Sequence, residues 1–237
     1  MKNYFVQTLV KVNSTDYGWK DRSSEGDLYS LYKQIQEQSY ASFKHNLQGD
    51  WEYVLLETEV NNVLEVFRFN FESIYELAHR EPANIFFCGL DCQMIEPTEV
   101  FGKYDKFRMF NHTDPKRNGF FENNFNCDTR YYPADLDESI WQYSLDASEN
   151  LTVWEQEQNI YNDMMWNQGV TLEEVLDPKM AFQAHMMGSP DNNVDEAARW
   201  NGIHVNDANI IHWHSSRGAP NRLGVMTEVN KRLGITV

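Results

Sequence analysis

Long apolar runs are missing from this chain. No stretch approaches the ~18 uninterrupted apolar residues of a membrane span, so no bilayer-crossing helix is expected. The opening residues, Met1-Lys2-Asn3-Tyr4-Phe5-Val6-Gln7, lack the apolar segment and small-residue cleavage site of a secretory signal. Cysteine is scarce as well. Cys88, Cys92 and Cys127 are too few and too irregular for a disulfide framework. The C-x₃-C spacing is wrong for a zinc knuckle, and Cys88 falls within a probable strand, so the thiols read as core or near-core residues. A reducing cytosol is the expected compartment, which makes the sequons at Asn13, Asn111 and Asn150 coincidental. No Gly-x-Ser-x-Gly elbow follows a strand, which argues against a serine hydrolase. No repeat, low-complexity tract or linker divides residues 1–237, and a chain of this length suits one domain.

Basic residues are few: 20 Lys and Arg against 36 Asp and Glu, a formal net charge of −16. Tyr131 to Pro178 contains no Lys or Arg and eleven acids, whereas Lys103 to Arg117 is locally basic. Phosphate contacts supply most non-specific nucleic-acid affinity, so general binding to DNA or RNA is disfavoured. What is present is an ordinary folding composition, 41% apolar and 14% aromatic.

Strands are expected at Tyr4–Val12, Trp51–Leu56, 84–90, Phe107–Phe110, Arg130–Tyr132 and Ala208–Trp213. Helical spacing marks Leu28–Leu47, Phe71–Arg80, Ala134–Tyr143 and Trp154–Trp166. Strands alternating with helices indicate an α/β fold with a mostly parallel central sheet flanked by helices.

Three clusters carry chemistry. The buried run Ile85-Phe86-Phe87-Cys88 ends at Gly89-Leu90 and delivers Asp91 and Gln93, two apart, at a strand's carboxyl end. Ligands of α/β sheets bind at that end. Near the C-terminus, His212 and His214 alternate along a strand and run into Ser215-Ser216-Arg217-Gly218. Backbone amides of Ser215 and Ser216, with the guanidinium of Arg217, suit a phosphate. Oxygen ligands plus imidazole suit Mn²⁺ or Mg²⁺ better than Zn²⁺, making Asp91, Gln93, His212 and His214 the candidate ligands. Between them, Glu157-Gln158-Asn159-Ile160-Tyr161-Asn162 puts Gln158 and Asn162 four apart on one helical face, with Asn159 beside them. Such amides can bind the hydroxyls of a sugar.

Together these pieces resemble the GT-A glycosyltransferases, in particular the glycogenin and galactosyltransferase-like group, family 8, and small phage-encoded relatives with a His-x-His-Ser-Ser-Arg-Gly ending. That family carries Leu-Asp-x-Asp, here Leu90-Asp91-Cys92-Gln93. It carries Asp-Gln-Asp-x-x-Asn, here Glu157 to Asn162, and a late His before a Gly-containing loop, here His212. The match spans Ile85 to Gly218. Gln93 departs from the family's second aspartate, Asn159 from its later one, and no Lys-Pro-Trp follows the histidine, leaving Arg217 to replace that lysine.

The resemblance implies a single GT-A domain and a metal-dependent, retaining transfer of a sugar to an acceptor hydroxyl. The donor is a nucleotide-diphosphate sugar, a UDP-sugar favoured. Asp91, Gln158 and Arg217 become the catalytic residues, with no catalytic base assigned. The loop after the first strand, with Asp16, Tyr17 and Trp19, becomes the nucleotide site together with Ser215, Ser216 and Arg217. Asn111, Lys116 and Arg117 lie where this fold recognises acceptors, which include a glycan, a lipid-linked sugar, a protein or a modified DNA base. The place of work is the cytoplasm, that of the host if a phage encodes the chain. Two alternatives stand beside this: a degenerate protein that binds nucleotide sugar without turnover, and a metal-dependent nucleotidyltransferase or phosphohydrolase.

Overall fold

Strand β1 (Lys2–Val12) is rich in aromatic and β-branched residues, and Tyr4, Phe5 and Val6 are buried in succession. Successive rather than alternate burial marks a strand covered on both faces. β1 pairs in parallel with β3 (Glu52–Val60) on one side and β4 (Ala83–Cys88) on the other. Beyond β4 comes β8 (Thr129–Tyr132), antiparallel to β4, and then β7 (Arg108–Met109), antiparallel to β8, giving the order β3-β1-β4-β8-β7. The computed structural model describes residues 1–13, 28–110, 128–152, 156–175, 180, 182–185, 208–214 and 219–237.

Side-chain alternation sorts the core into layers. Phe5, Phe86 and Cys88 point to the side covered by α1 (Leu28–Asn46), whose Phe43 stacks on Phe5 with ring centroids 4.4 Å apart. Tyr4, Val6, Ile85 and Phe87 point the other way. They meet Phe71, Ile74 and Leu77 of α2 (Val63–Arg80), Trp141 of α3 (Glu138–Glu149), and Tyr161 and Met164 of α4 (Gln156–Trp166). The α/β architecture expected from the alternation of elements is therefore the one found.

Helix α2 starts at Val63, upstream of the expected Phe71. The start is set by Asn62, whose side chain accepts from the Glu65 amide at 3.1 Å, while Glu65 accepts from the Asn61 amide at 2.8 Å. Its end is as expected: Glu81 is extended ahead of Pro82, as the proline ring requires. Among the described residues no helix is long and apolar enough to cross a membrane.

A second, smaller sheet lies at the carboxyl end of β4. It contains β5 (Cys92–Met94), β10 (Ile210–His214) and β9 (Phe182–His185), in the order β5-β10-β9, and β10 runs antiparallel to β5. A two-residue pair, β2 (Leu47–Gln48) with β6 (Thr98–Glu99), lies apart from it. Helix α5 (Leu172–Val175) is a single turn. The last helix, α6 (Ala219–Arg232), lies on α1, with Val225, Met226 and Val229 against Ile35, Ile211 and Trp213. No reading of the sequence anticipated α6.

Candidate active site

The chain leaves β4 at Gly89 and turns through Leu90 and Asp91 into β5. Three backbone bonds pin that turn. Gly89 donates to the Asp128 carbonyl at 2.7 Å, Cys92 to the Gly89 carbonyl at 3.1 Å, and Trp213 to the Asp91 carbonyl at 2.9 Å. The large and small sheets thus meet at the residue that supplies the first candidate ligand.

Asp91 sits in a charged cluster. Its Oδ2 is 2.8 Å from Nη1 of Arg222, and its Oδ1 is 3.3 Å from Nε2 of His212. The same imidazole nitrogen is 3.2 Å from Oδ2 of Asp128. Arg222 also donates to the Tyr32 hydroxyl at 3.3 Å. The side chains are largely shielded, His212 at 6%, Arg222 at 10% and Asp91 at 16% exposed, while Asp128 opens to solvent at 35%. Burial alone would favour the neutral acid, but the charges of His212 and Arg222 prevail and hold Asp91 well below the usual carboxylate range. Burial likewise works against the imidazolium of His212, and the carboxylates of Asp128 and Asp91 outweigh it, raising His212 to about 8.

Gly89 faces the space between the two carboxylates. A Cβ there would lie 3.2 Å from Asp91 Oδ1 and 3.4 Å from Asp128 Oδ1. Among the described residues no three His, Cys, Asp or Glu side chains close into a ready metal cage. Once His212 has given up its proton, the donor set fits a hard or borderline divalent cation: two carboxylate oxygens around one imidazole nitrogen. Their 3.2 and 3.3 Å separations exceed those of ordinary charge-assisted hydrogen bonds.

Gln93, grouped with these ligands on the sequence, is engaged elsewhere. It lies on the opposite face of β5 from Cys92, which pairs with His212. Fully buried, its Nε2 donates to the Met226 carbonyl at 3.0 Å and to Asn230 Oδ1 at 2.9 Å, while its Oε1 accepts from Trp213 Nε1 at 2.8 Å. The amide binds α6 to the small sheet. His214 ends β10, with its side chain outside the described residues. Asp16, Tyr17, Trp19, Asn111, Lys116, Arg117, Ser215, Ser216 and Arg217 lie outside them too.

On α4 the sugar-binding amides are spread out. Asn159 is exposed, Gln158 is half-buried, and the buried Asn162 donates to the Gln158 carbonyl at 2.6 Å. The face turned to the sheet is the adjoining one, with Glu157 and Tyr161, about 100° around the helix. Glu157 Oε1 is 4.0 Å from Nη1 of Arg130, whose guanidinium lies between the rings of Phe87 and Tyr161 at 3.8 and 4.0 Å. Burial raises Glu157 to about 7; Arg130 opposes that shift and Asp128 adds to it.

Asp128, Arg222, Arg130 and Glu157 were not singled out on the sequence as site residues. Asp128 precedes β8, and because β8 runs antiparallel to β4, with Thr129 opposite Cys88, its start meets the end of β4. The direction of that strand was the missing signal.

No protein-family model matches the chain, and no curated protein matches it in sequence. Its structure is similar to that of a glycosyltransferase involved in the glycosylation of the major capsid of PBCV-1. The TM-score is 0.52 at 10% identity, over 95% of this chain and 99% of that one. Mouse xyloside xylosyltransferase 1, in its apo form, aligns at a TM-score of 0.42 and 13% identity over 90% of this chain and 98% of that one. The first likeness establishes a shared fold, an α/β domain of GT-A type, over nearly the whole of both chains.

Proposed function

We propose that this chain is a metal-dependent glycosyltransferase of family-8 type, moving a sugar from a nucleotide-diphosphate donor to an acceptor hydroxyl with retention of configuration. The observation that carries the reading is the meeting of Asp91, Asp128 and His212 at the carboxyl end of β4, beside Arg222. Asp91 and His212 are retained from the ligands expected on the sequence. Asp128 takes the place of Gln93, whose carbonyl oxygen is already committed to Trp213. The cation is Mn²⁺ or Mg²⁺.

Bound there, the cation would neutralise charge building on the departing diphosphate. The protein's own contribution is preorganisation. Arg222 occupies one oxygen of Asp91 and orients the other toward His212, so the carboxylate is already ionised and aimed. Fixed charges aimed at a leaving group are usually the largest electrostatic aid to group transfer. Gly89 keeps the space between the carboxylates clear of side chain. Gln158, Asn159 and Asn162 of α4 are assigned to the donor sugar. A UDP-sugar is the favoured donor, and the loop residues Asp16, Tyr17, Trp19, Ser215, Ser216 and Arg217 are assigned to the nucleotide. Asn111, Lys116 and Arg117 are assigned to an acceptor with phosphate or other anionic character. A cytoplasmic site of action agrees with Cys88 and Cys92, both free and buried.

A thermal-shift screen of UDP-, GDP- and dTDP-sugars, each with Mn²⁺ and with chelator, tests this. Ligand at a hundred times its dissociation constant stabilises the native state by about 2.7 kcal/mol, which a melt resolves. The expected result is a shift for one nucleotide class, lost with chelator and lost in Asp91→Ala. No shift for any donor would overturn the reading.

A further inference from the structure

We infer that Ser39 and Gln7 are positioning residues that set the place of Asp91 from inside the core. This rests on the reading of Asp91 as a ligand-bearing carboxylate. Among the described residues β5 is an edge strand of the small sheet, with a strand partner on one side of its backbone only. Its odd-numbered residues turn their backbone to β10: Asp91 accepts from Trp213, and Ile95 donates to Asn209. Its even-numbered residues turn toward α1 and find side chains there instead of a strand. Ser39 Oγ donates to the Cys92 carbonyl at 2.6 Å, the Met94 amide donates to Ser42 Oγ at 3.1 Å, and Asn46 Nδ2 donates to the Met94 carbonyl at 2.7 Å. Ser39, Ser42 and Asn46, spaced three and four apart, form one buried polar stripe. Backbone groups at this depth must be paired, and the stripe pairs them.

Ser39 differs from its two neighbours in the stripe because it continues into a second element. Its Oγ accepts from Gln7 Nε2 at 2.8 Å, and the same nitrogen reaches the Gly89 carbonyl at 3.4 Å. Gln7 is held in turn by the Tyr53 hydroxyl at 3.1 Å, which accepts from Gln36 at 2.7 Å. Ser39 and Gln7 therefore grip the carbonyls of Gly89 and Cys92, the residues on either side of the Leu90–Asp91 corner. β1 has an amide, rather than an apolar side chain, at this fully buried position of its central run. Core packing alone gives no reason for it.

The experiment compares Ser39→Ala and Gln7→Met with Ser42→Ala, a control of equal burial in the same stripe. Amide hydrogen exchange is read at Cys92 and Trp213, and Mn²⁺ affinity is read by calorimetry in the presence of UDP. Losing an outer partner of a metal ligand typically costs 10- to 100-fold in affinity, so Ser39→Ala and Gln7→Met should weaken Mn²⁺ by about tenfold. Both should also speed exchange at the two amides, while Ser42→Ala lowers the melting temperature but leaves both readouts unchanged. Equal effects from all three variants would overturn the inference and leave Ser39 as ordinary packing. If wild-type protein binds no Mn²⁺, the metal reading fails. The exchange comparison alone then decides the positioning role, faster exchange confined to Ser39→Ala and Gln7→Met supporting it.

Discussion

Replacing Glu157 with glutamine tests how the cluster around Arg130 holds its charge. Burial raises the folded-state pKa of this carboxyl from 4.5 to about 7. An acid with a raised folded pKa binds its proton more tightly in the native than in the unfolded state. Its contribution is therefore fully present below pH 4.5 and lost as pH climbs through 7. The rise from 4.5 to about 7 corresponds to about 3 kcal/mol. With the Glu157 side chain only 11% exposed, solvent screening removes little of it. The amide of Glu157→Gln cannot ionise, so the variant should gain about 3 kcal/mol relative to wild type between pH 4.5 and pH 8. In a chain of this size that is a relative gain in melting temperature of roughly 6–12 °C. The assay is urea denaturation of both proteins across that range. Groups that titrate in both largely cancel in the difference. A difference that stays flat with pH would refute the reasoning, and would mean that Arg130 holds Glu157 ionised at neutral pH.

Three further outcomes follow from the site geometry. Gly89→Ala places a methyl 3.2 Å from Asp91 Oδ1 and 3.4 Å from Asp128. Calorimetry should show at least about a tenfold loss of Mn²⁺ affinity with a modest change in stability, and wild-type affinity would put the cation elsewhere. Arg222→Met strips a buried carboxylate of a partner and should destabilise by about 3 kcal/mol. Combined with Asp91→Asn it should cost less than the sum of the two, and additivity in that double-mutant cycle would refute the pairing. Gln93→Leu leaves Trp213 Nε1 and Asn230 Oδ1 without the amide they now share, so unfolding should show a loss of about 3 kcal/mol. Its Mn²⁺ affinity should be that of wild type, and a large loss would return Gln93 to the ligand set.

Local patterns carried much of the architecture. The β-branched run at Tyr4–Val12, the apolar spacing of Leu28 to Leu47 and the short run before Gly89 all became the expected elements, because each encodes burial in its own residues. Helix α6 was not anticipated. Its mean hydropathy is low, and it is recognisable only from the side it turns to Ile35 and Trp213.

The carboxyl end of β4 as the chemical corner, with Asp91 delivered there, could be read from the chain alone, since a buried strand ending in Gly-Leu-Asp has little choice about where its aspartate emerges. His212 was legible for a similar reason, lying on a strand that enters a polar loop. Which groups stand around Asp91 was decided by tertiary structure. The antiparallel direction of β8 brings Asp128 beside Gly89, and the docking of α6 on α1 brings Arg222 to Asp91 across 131 residues. Gln93 shows the same limit from the other side. Spacing of two puts it on the strand face of Asp91, but the turn at Asp91 and the pairing of β5 with β10 point its amide into the core, opposite His212. Sequence spacing specifies periodicity within an element; the hydrogen-bonded register between elements decides which side chains meet.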